Sequence, residues 1–322
     1  MKLLQLNSAK PRYPWMMAIS ENINQYSWMA GDTGHPTEFS KAWNKQNWKL
    51  GEEMHNLSDD DFIKLSEFTR QRFGIDLSQK KSMVESRLQS YLNRRGYESF
   101  PAFYKFLIND KTGMEAKALA DRLSTNYTFF MREVEHFHFF RETILPYLAA
   151  TVKSKDLRIW SAGCSSGEEA YTLAMIVNDY FGKDRCAWDK KILATDISTR
   201  ALEIALQATY SDEQIKDLPG IWKMNYFEPV PNGKRLVKSI RDEVIFRRFN
   251  LMEKTFPFKQ KFHVIFCRNV MIYFDNETKI ELVNRFYDCT APGGYLIIGH
   301  SETLNRSETN YQYVMPAVYR KG

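Results

Sequence analysis

The sequence predicts an α/β protein built on a doubly wound, mainly parallel, Rossmann-like sheet. A small helical domain precedes the sheet and a small antiparallel β insertion interrupts it. Three observations carry this prediction. From about residue 133 onward, apolar strand-length runs alternate with segments of helical period. Residues 56–125 show helical period without any strand-like run. Between about 218 and 249 the alternation lapses into turn signals, Leu218-Pro219-Gly220 and Pro229 to Gly233.

The first 55 residues form a region of their own. They hold Trp15, Trp28, Trp43 and Trp48, four of the seven tryptophans, among prolines and glycines with no sustained period. The plainer reading is an irregular tail that packs loosely; so many large aromatics also suit a segment that docks a partner. In the helical domain, Ser58 followed by Asp61 marks a helix start, with Phe62, Leu65 and Phe68 at helical spacing behind it. A second helix is predicted over Lys80 to Arg95, stopped by Gly96, with Lys80, Arg87, Arg94 and Arg95 opposite its apolar face. Ser99-Phe100-Pro101 opens a third, and Met114 to Leu123 forms the last.

The larger domain, 126–322, begins with a helix over Glu133 to Ala150. Strands follow at Leu157–Ser161, Lys191–Thr195 and Phe262–Phe266, with helices at Gly167–Tyr180, Ser198–Leu206 and Asn276–Cys289. Pro292-Gly293-Gly294 reads as a turn into the strand Tyr295–Ile298, and Tyr311–Tyr319 as one final strand. Short apolar runs around Arg235–Val237 and Val244–Phe246 suggest antiparallel strands of the insertion.

Composition narrows the class. Lys plus Arg is 45 and Asp plus Glu is 39, a net charge of +6, too mild to argue for nucleic acid. No apolar run approaches the roughly 18 residues of a membrane span, and the apolar start of the chain is broken too early for a signal peptide. The four cysteines form no CxxC pair, so buried cytoplasmic thiols are expected rather than disulfides. The six histidines show no zinc-type spacing, and no metal is expected.

The chemistry is expected beyond the C-terminal ends of the parallel strands. The first strand runs into Ala162-Gly163-Cys164-Ser165-Ser166-Gly167-Glu168-Glu169. This is neither GxGxxG nor a phosphate loop. Two carboxylates in a first helical turn stabilise the helix in any case, but they repel a pyrophosphate. A cofactor with a positive centre suits the loop better, and S-adenosylmethionine, with its sulfonium and ammonium, fits. Asp196 ends the second strand, 33 positions after Gly163 (196 − 163), where a carboxylate can accept from both ribose hydroxyls; a helix cap is the simpler use. The strand at 262–266 runs into Cys267-Arg268-Asn269-Val270-Met271-Ile272-Tyr273-Phe274, which lacks the Pro-Pro of enzymes that methylate flipped bases.

Taken in order, Asn126-Tyr127-Thr128-Phe129-Phe130-Met131-Arg132-Glu133, Gly167-Glu168-Glu169, Ala194-Thr195-Asp196, Asn250-Leu251, Cys267 to Phe274 and Gly299-His300-Ser301-Glu302 resemble the CheR family of chemotaxis receptor methyltransferases. The resemblance covers roughly 57–320. It implies a methyltransferase sheet whose last strand runs antiparallel, and methyl transfer from S-adenosylmethionine to glutamate side chains of chemoreceptors. The implied partners are the cytoplasmic helices of these transmembrane receptors, met by a cytoplasmic, monomeric enzyme without nucleic acid or membrane insertion. By position, Asn126, Thr128 and Arg132 would line the cofactor alongside Gly163, and Glu169 would face its methionine portion. Asp196 would hold the ribose, Asn250 and Leu251 would border the adenine, and Arg268 and Asn269 would close the site beneath the sulfonium. Arg132 and Tyr273 are the candidate catalytic side chains beside the incoming carboxylate. The resemblance also makes the arginine-bearing second helix a receptor-facing surface. Around the glycine loop the family often reads Ala-Ser-Thr-Gly-Glu-Glu-Pro-Tyr where this chain has Cys164 to Tyr171, mostly small-for-small exchanges. The first 55 residues have no counterpart in the family core. Two other readings stay open: a cofactor-binding interaction module, and a methyltransferase for another acceptor.

Overall fold

A computed structural model of the chain describes residues 55–182, 187–305 and 307–322. The tryptophan-rich extension and Cys186 lie outside the described residues.

Four helices, α1 (Asp59–Phe73), α2 (Lys81–Arg95), α3 (Phe100–Asn109) and α4 (Met114–Leu123), form the N-terminal unit. Their ends follow from local chemistry. The Ser58 hydroxyl accepts from Asp61 N at 3.1 Å and Ser99 does the same for Ala102 N at 3.3 Å. Gly74 and Gly96 end α1 and α2 in the left-handed conformation. Leu65, Val84, Leu88, Phe100, Phe103 and Leu119 meet at the centre of the unit. Arg87 of α2 is turned inward, donating to the carbonyls of Leu123 and Ser124 at 3.1 and 3.2 Å. It closes the end of α4, so the basic face of α2 is partly structural.

The predicted 133–150 helix is α5 (Val134–Phe139), a π-turn (Phe140–Ile144) and α6 (Leu145–Thr151) in direct succession. The strands are β1 (Ile159–Ala162), β2 (Ile192–Asp196), β3 (Thr209–Tyr210), β4 (Phe227–Val230), β5 (Gly233–Leu236), β6 (Val244–Arg248), β7 (Phe262–Cys267), β8 (Thr290–Ile298), β9 (Gln312–Met315) and β10 (Val318–Arg320). The remaining helices are α7 (Glu168–Phe181), α8 (Thr199–Gln207), α9 (Gly220–Tyr226), α10 (Lys238–Arg241) and α11 (Asn276–Cys289).

The main sheet has the order β6-β2-β1-β7-β8-β10-β9. β6 to β8 are parallel, and β10 runs antiparallel to β8. Alternate residues of β1 point to opposite faces: Ile159 packs with α5, α6 and α7, and Trp160 with α11. That alternation requires helices on both sides.

Four expectations change. Val244–Arg248 is not an antiparallel strand of the insertion but the parallel edge strand of the main sheet, paired with β2 from Val244↔Ile192 to Arg248↔Asp196. Its half-buried alternation is that of any edge strand, and direction is not written in alternation. The small sheet is β3-β5-β4, so the insertion starts near Thr209 rather than 218. Tyr311–Tyr319 is a hairpin of β9 and β10, broken at Ala317, whose φ is +62°. Pro292-Gly293 falls inside β8 as an irregularity. Gly293 N donates to Lys321 O at 2.9 Å, and the register against β7 shifts between Phe262 and Val264.

Candidate active site

The chain runs from β1 outward through β2 to β6, then returns to lay down β7 and β8 on the other side of β1. The strand order therefore reverses between β1 and β7, and a crevice opens there at the C-terminal ends of the strands. Four strand ends reach one cavity: Gly163, Cys164 and Ser165 after β1, Asp196 on β2, Asn250 and Leu251 after β6, and Arg268 and Asn269 after β7. The linker contributes Asn126, Thr128 and Arg132, α7 contributes Glu169, and the turn after β7 contributes Tyr273. All eleven sequence-predicted residues thus line the same cavity. The helical unit adds Phe73 and Ile75, and the wall is extended by Phe137, Ile197 and Phe249.

The β1 end is fixed by backbone. Gly163 has φ +86°, and a Cβ there would sit 2.3 Å from Val270 Cγ2, so only glycine fits. Gly163 N and Cys164 N both donate to Thr195 O, at 2.7 and 2.9 Å. Asp196 accepts from Ser165 N through Oδ2 and from Ser198 N through Oδ1, each at 2.8 Å. The carboxylate therefore steadies both loops, and Ser198, not Asp196, caps α8 by accepting from Ala201 N. Burial pushes the Asp196 carboxyl up, against the pull of the backbone N–H groups of Ser198, Ser165 and Ile197. Glu168 is buried away from the cavity and accepts from Ser166 Oγ at 2.7 Å.

The β7 end is fixed by charge. Arg268, almost fully buried, donates to Glu169 Oε2 at 3.0 Å, to Glu133 Oε2 at 3.2 Å and to the Arg132 carbonyl, and its guanidinium lies over the Phe137 ring. Glu169 also accepts from Ser161 Oγ at 2.6 Å. Asn269, at φ +59°, donates through Nδ2 to Glu133 Oε1 at 3.1 Å. Burial alone raises the Glu133 carboxyl, but Asn269, Arg268 and the His300 N–H together hold it below its ordinary value. Buried Glu302 accepts from Asn269 N, Gly299 N and Ile272 N at 3.0, 2.6 and 3.1 Å, fixing the turn that carries Asn269 and Tyr273.

The catalytic candidates are both half-buried. Arg132 donates to Tyr127 O at 2.9 Å, with its guanidinium near the Tyr127 and Phe129 rings. Tyr273 packs on the helical unit under Lys80, and its carbonyl accepts from Asp76 N at 2.7 Å. Asn250 spends its amide on Arg72 O of α1 at 2.8 Å, so it joins the two units as well as bordering the cavity. Asn126 donates to Ser198 Oγ at 3.4 Å, and its carbonyl accepts from Ser165 Oγ at 2.9 Å.

Sequence reasoning missed Glu133 and Glu302 as organisers, although both stand in the motifs that carried the resemblance. It also missed a cluster beside them. One ligand atom each of Glu133, His136 and His300 lie within 4.8 Å of one another. Glu133 and His300 are 167 positions apart in sequence, beyond the reach of any spacing rule. His136 is wholly buried with neither ring nitrogen hydrogen-bonded, and burial pushes its imidazole down to about 4. Buried Cys164 and Cys267 have their thiols pushed well up by burial, which suits inert packing.

A doubly wound sheet with an acidic, apolar-walled crevice at its switch point, in place of a phosphate loop, defines the S-adenosylmethionine-dependent methyltransferase class. The residues present fit that cofactor: the Glu169 and Asp196 carboxylates suit a cationic and hydroxylated ligand, and Phe249, Leu251 and Ile75 would offer an apolar wall to a base. The family described as "CheR methyltransferase, SAM binding domain" matches residues 126–319, and "CheR methyltransferase, all-alpha domain" matches 60–124. The chain belongs to the CheR methyltransferase family and is an S-adenosylmethionine-dependent methyltransferase. It is 42% identical over 271 residues to a chemotaxis protein methyltransferase of Borreliella burgdorferi, covering 83% of this chain and 95% of the relative. A chemotaxis protein methyltransferase of Escherichia coli is 36% identical, with 82% and 91% covered. Chemotaxis protein methyltransferase 2 of Vibrio cholerae is 32% identical, with 78% and 88% covered. Among the described residues no helix is long and apolar enough to cross a membrane.

Proposed function

We propose that this protein methylates glutamate side-chain carboxylates on the cytoplasmic helices of transmembrane chemoreceptors, giving methyl esters that adapt the chemotactic signal, and that it does so as a cytoplasmic monomer. The observation that carries the reading is the convergence of four strand ends, the 126–132 linker and α7 on one cavity that Arg132 and Tyr273 also line. The relatives are named chemotaxis protein methyltransferases, which supports an acceptor in the chemotaxis system.

S-adenosylmethionine, when bound, supplies a methyl group on a cationic sulfur. Asp196 would hold its ribose, and Asn126, Thr128 and Gly163 would line its path. Leu251 and Asn250 would border the base. Glu169, with Arg268 and Asn269 beneath, would place negative charge near the cationic end. A glutamate acceptor has a pKa of about 4.3 and is ionised at neutral pH, so no residue needs to remove a proton. The protein's task is alignment, which can supply up to about 7–11 kcal/mol of the barrier, and exclusion of water. Arg132 would orient the acceptor carboxylate. Its existing bond to Tyr127 O uses one of its five N–H donors and leaves the others for the carboxylate. Tyr273 would pack or donate beside the acceptor.

The deciding experiment incubates methyl-labelled cofactor and this protein with chemoreceptor-bearing membranes. Base-labile label on the receptor band is expected, and Arg132→Ala should remove most of it at saturating cofactor. Cofactor binding without label would sink the acceptor assignment, and full turnover by Arg132→Ala would sink its role.

A further inference from the structure

The Glu133, His136 and His300 cluster lies just behind the cavity wall, and none of the three lines the cavity itself. Two imidazoles and a carboxylate are a donor set that borderline divalent metals prefer. His136 Nδ1 stands 3.4 Å from Glu133 Oε2 without forming a hydrogen bond. Its ring meets that of His300 at a centroid distance of 4.4 Å, nearly edge to face. A buried imidazole with both nitrogens unpartnered, facing a carboxylate and a second imidazole, is an arrangement that a cation would complete. Donors held 2.0–2.1 Å from a tetrahedral metal lie about 3.3 Å apart, so the cluster must contract from its present 4.8 Å span. His300 is exposed, follows Gly299, and can supply both the movement and the entry path.

We propose that Glu133, His136 and His300 form a site for a divalent transition metal of the Zn2+ type, and that its occupancy weakens cofactor binding. The coupling runs through Glu133. Its Oε2 accepts from Arg268, its Oε1 accepts from Asn269, and both partners line the cavity. A metal on that carboxylate competes with Arg268 for the same oxygen and releases the two groups that close the site. The second half of the proposal rests on the cofactor reading alone and not on the acceptor.

The test uses the untagged full chain, freed of metal by a chelator, with Co2+ as the spectroscopic probe and Zn2+ as its competitor. One equivalent of Co2+ should bind with ligand-field bands of nitrogen and oxygen ligation and no thiolate charge-transfer band. Zn2+ should displace it. His300→Ala removes an exposed ligand and should weaken binding at least about tenfold. His138→Ala, an exposed histidine two positions from His136, should leave it unchanged. Saturating Zn2+ should lower S-adenosylmethionine affinity by at least about fivefold in the parent, in calorimetry without any receptor, and not in His300→Ala. No saturable Co2+ spectrum, a thiolate band, or equal affinity in His300→Ala would overturn the site. Metal binding with unchanged cofactor affinity would overturn the coupling.

Discussion

The two ends of the cavity are built by different physics. At the β1 and β2 end, Gly163, Ser165 and Asp196 are positioned by backbone hydrogen bonds, and the one carboxylate there is matched by N–H groups rather than by a cation. At the β7 end, Arg268 sits among Glu133, Glu169 and the Arg132 carbonyl, and Asn269 is tied to Glu133. The first end is rigid because its partners are peptide groups already fixed by the sheet. The second depends on charges that balance one another, so removing one strands the rest. The energetic consequences differ accordingly.

The largest effect should come from breaking the charged end. Arg268→Ala leaves the half-buried Glu133 and Glu169 without their cation and should destabilise the protein by about 3 kcal/mol, read as a lower urea midpoint. If the loss stays within about 1 kcal/mol, the two ends are more alike than the geometry implies. Next, Gly163→Ala attacks the backbone end. The positive φ and the contact with Val270 should cost about 1–3 kcal/mol, with a larger loss in cofactor affinity, since the loop itself forms the wall. Ser58→Ala, in the helical unit far from either end, should cost about 1 kcal/mol through the lost cap and leave cofactor affinity untouched.

The smallest effect is informative by its sign. Glu133 has a lowered carboxyl, so its contribution is present above the ordinary glutamate range and lost as pH falls through its depressed value. Asp196 has a raised carboxyl, so its contribution is present below about 4 and lost as pH rises through its elevated value. Unfolding profiles between pH 3 and 6 should therefore shift in opposite senses for Glu133→Gln and Asp196→Asn. Shifts of the same sign would erase the distinction between the ends.

Local signals were legible where the physics is local. The helices Met114–Leu123 and Asn276–Cys289 have the bounds their sequence predicts, because Asp275 caps the second by accepting from Thr278 N, and Gly113 precedes the first. Gly163, Asp196, Arg268 and Asn269 reached the cavity because strand-end position in a parallel sheet is itself a spatial coordinate, while Asn126, Thr128, Arg132, Glu169 and Tyr273, off the strand ends, were legible only through the family motifs. The direction of Val244–Arg248 was not legible, since an edge strand alternates in the same way whether its neighbour is parallel or antiparallel. Nor was the break at Ala317, which depends on a left-handed residue that no glycine announced.

The residues around the cavity that lie off the strand ends were reached through the family resemblance; by itself, the sequence determined the class of sheet, the helical caps and the glycine at the β1 turn. These rest on periodicity and on the conformational limits of single residues, which act within a few positions of the chain. Tertiary structure alone decided how Arg268 divides itself between Glu133 and Glu169, that Glu302 fastens the Asn269 turn, and that His136 faces His300 with no hydrogen-bond partner. Each of these joins residues far apart in sequence, and the energy of a buried charge or polar group depends on which neighbours replace its water.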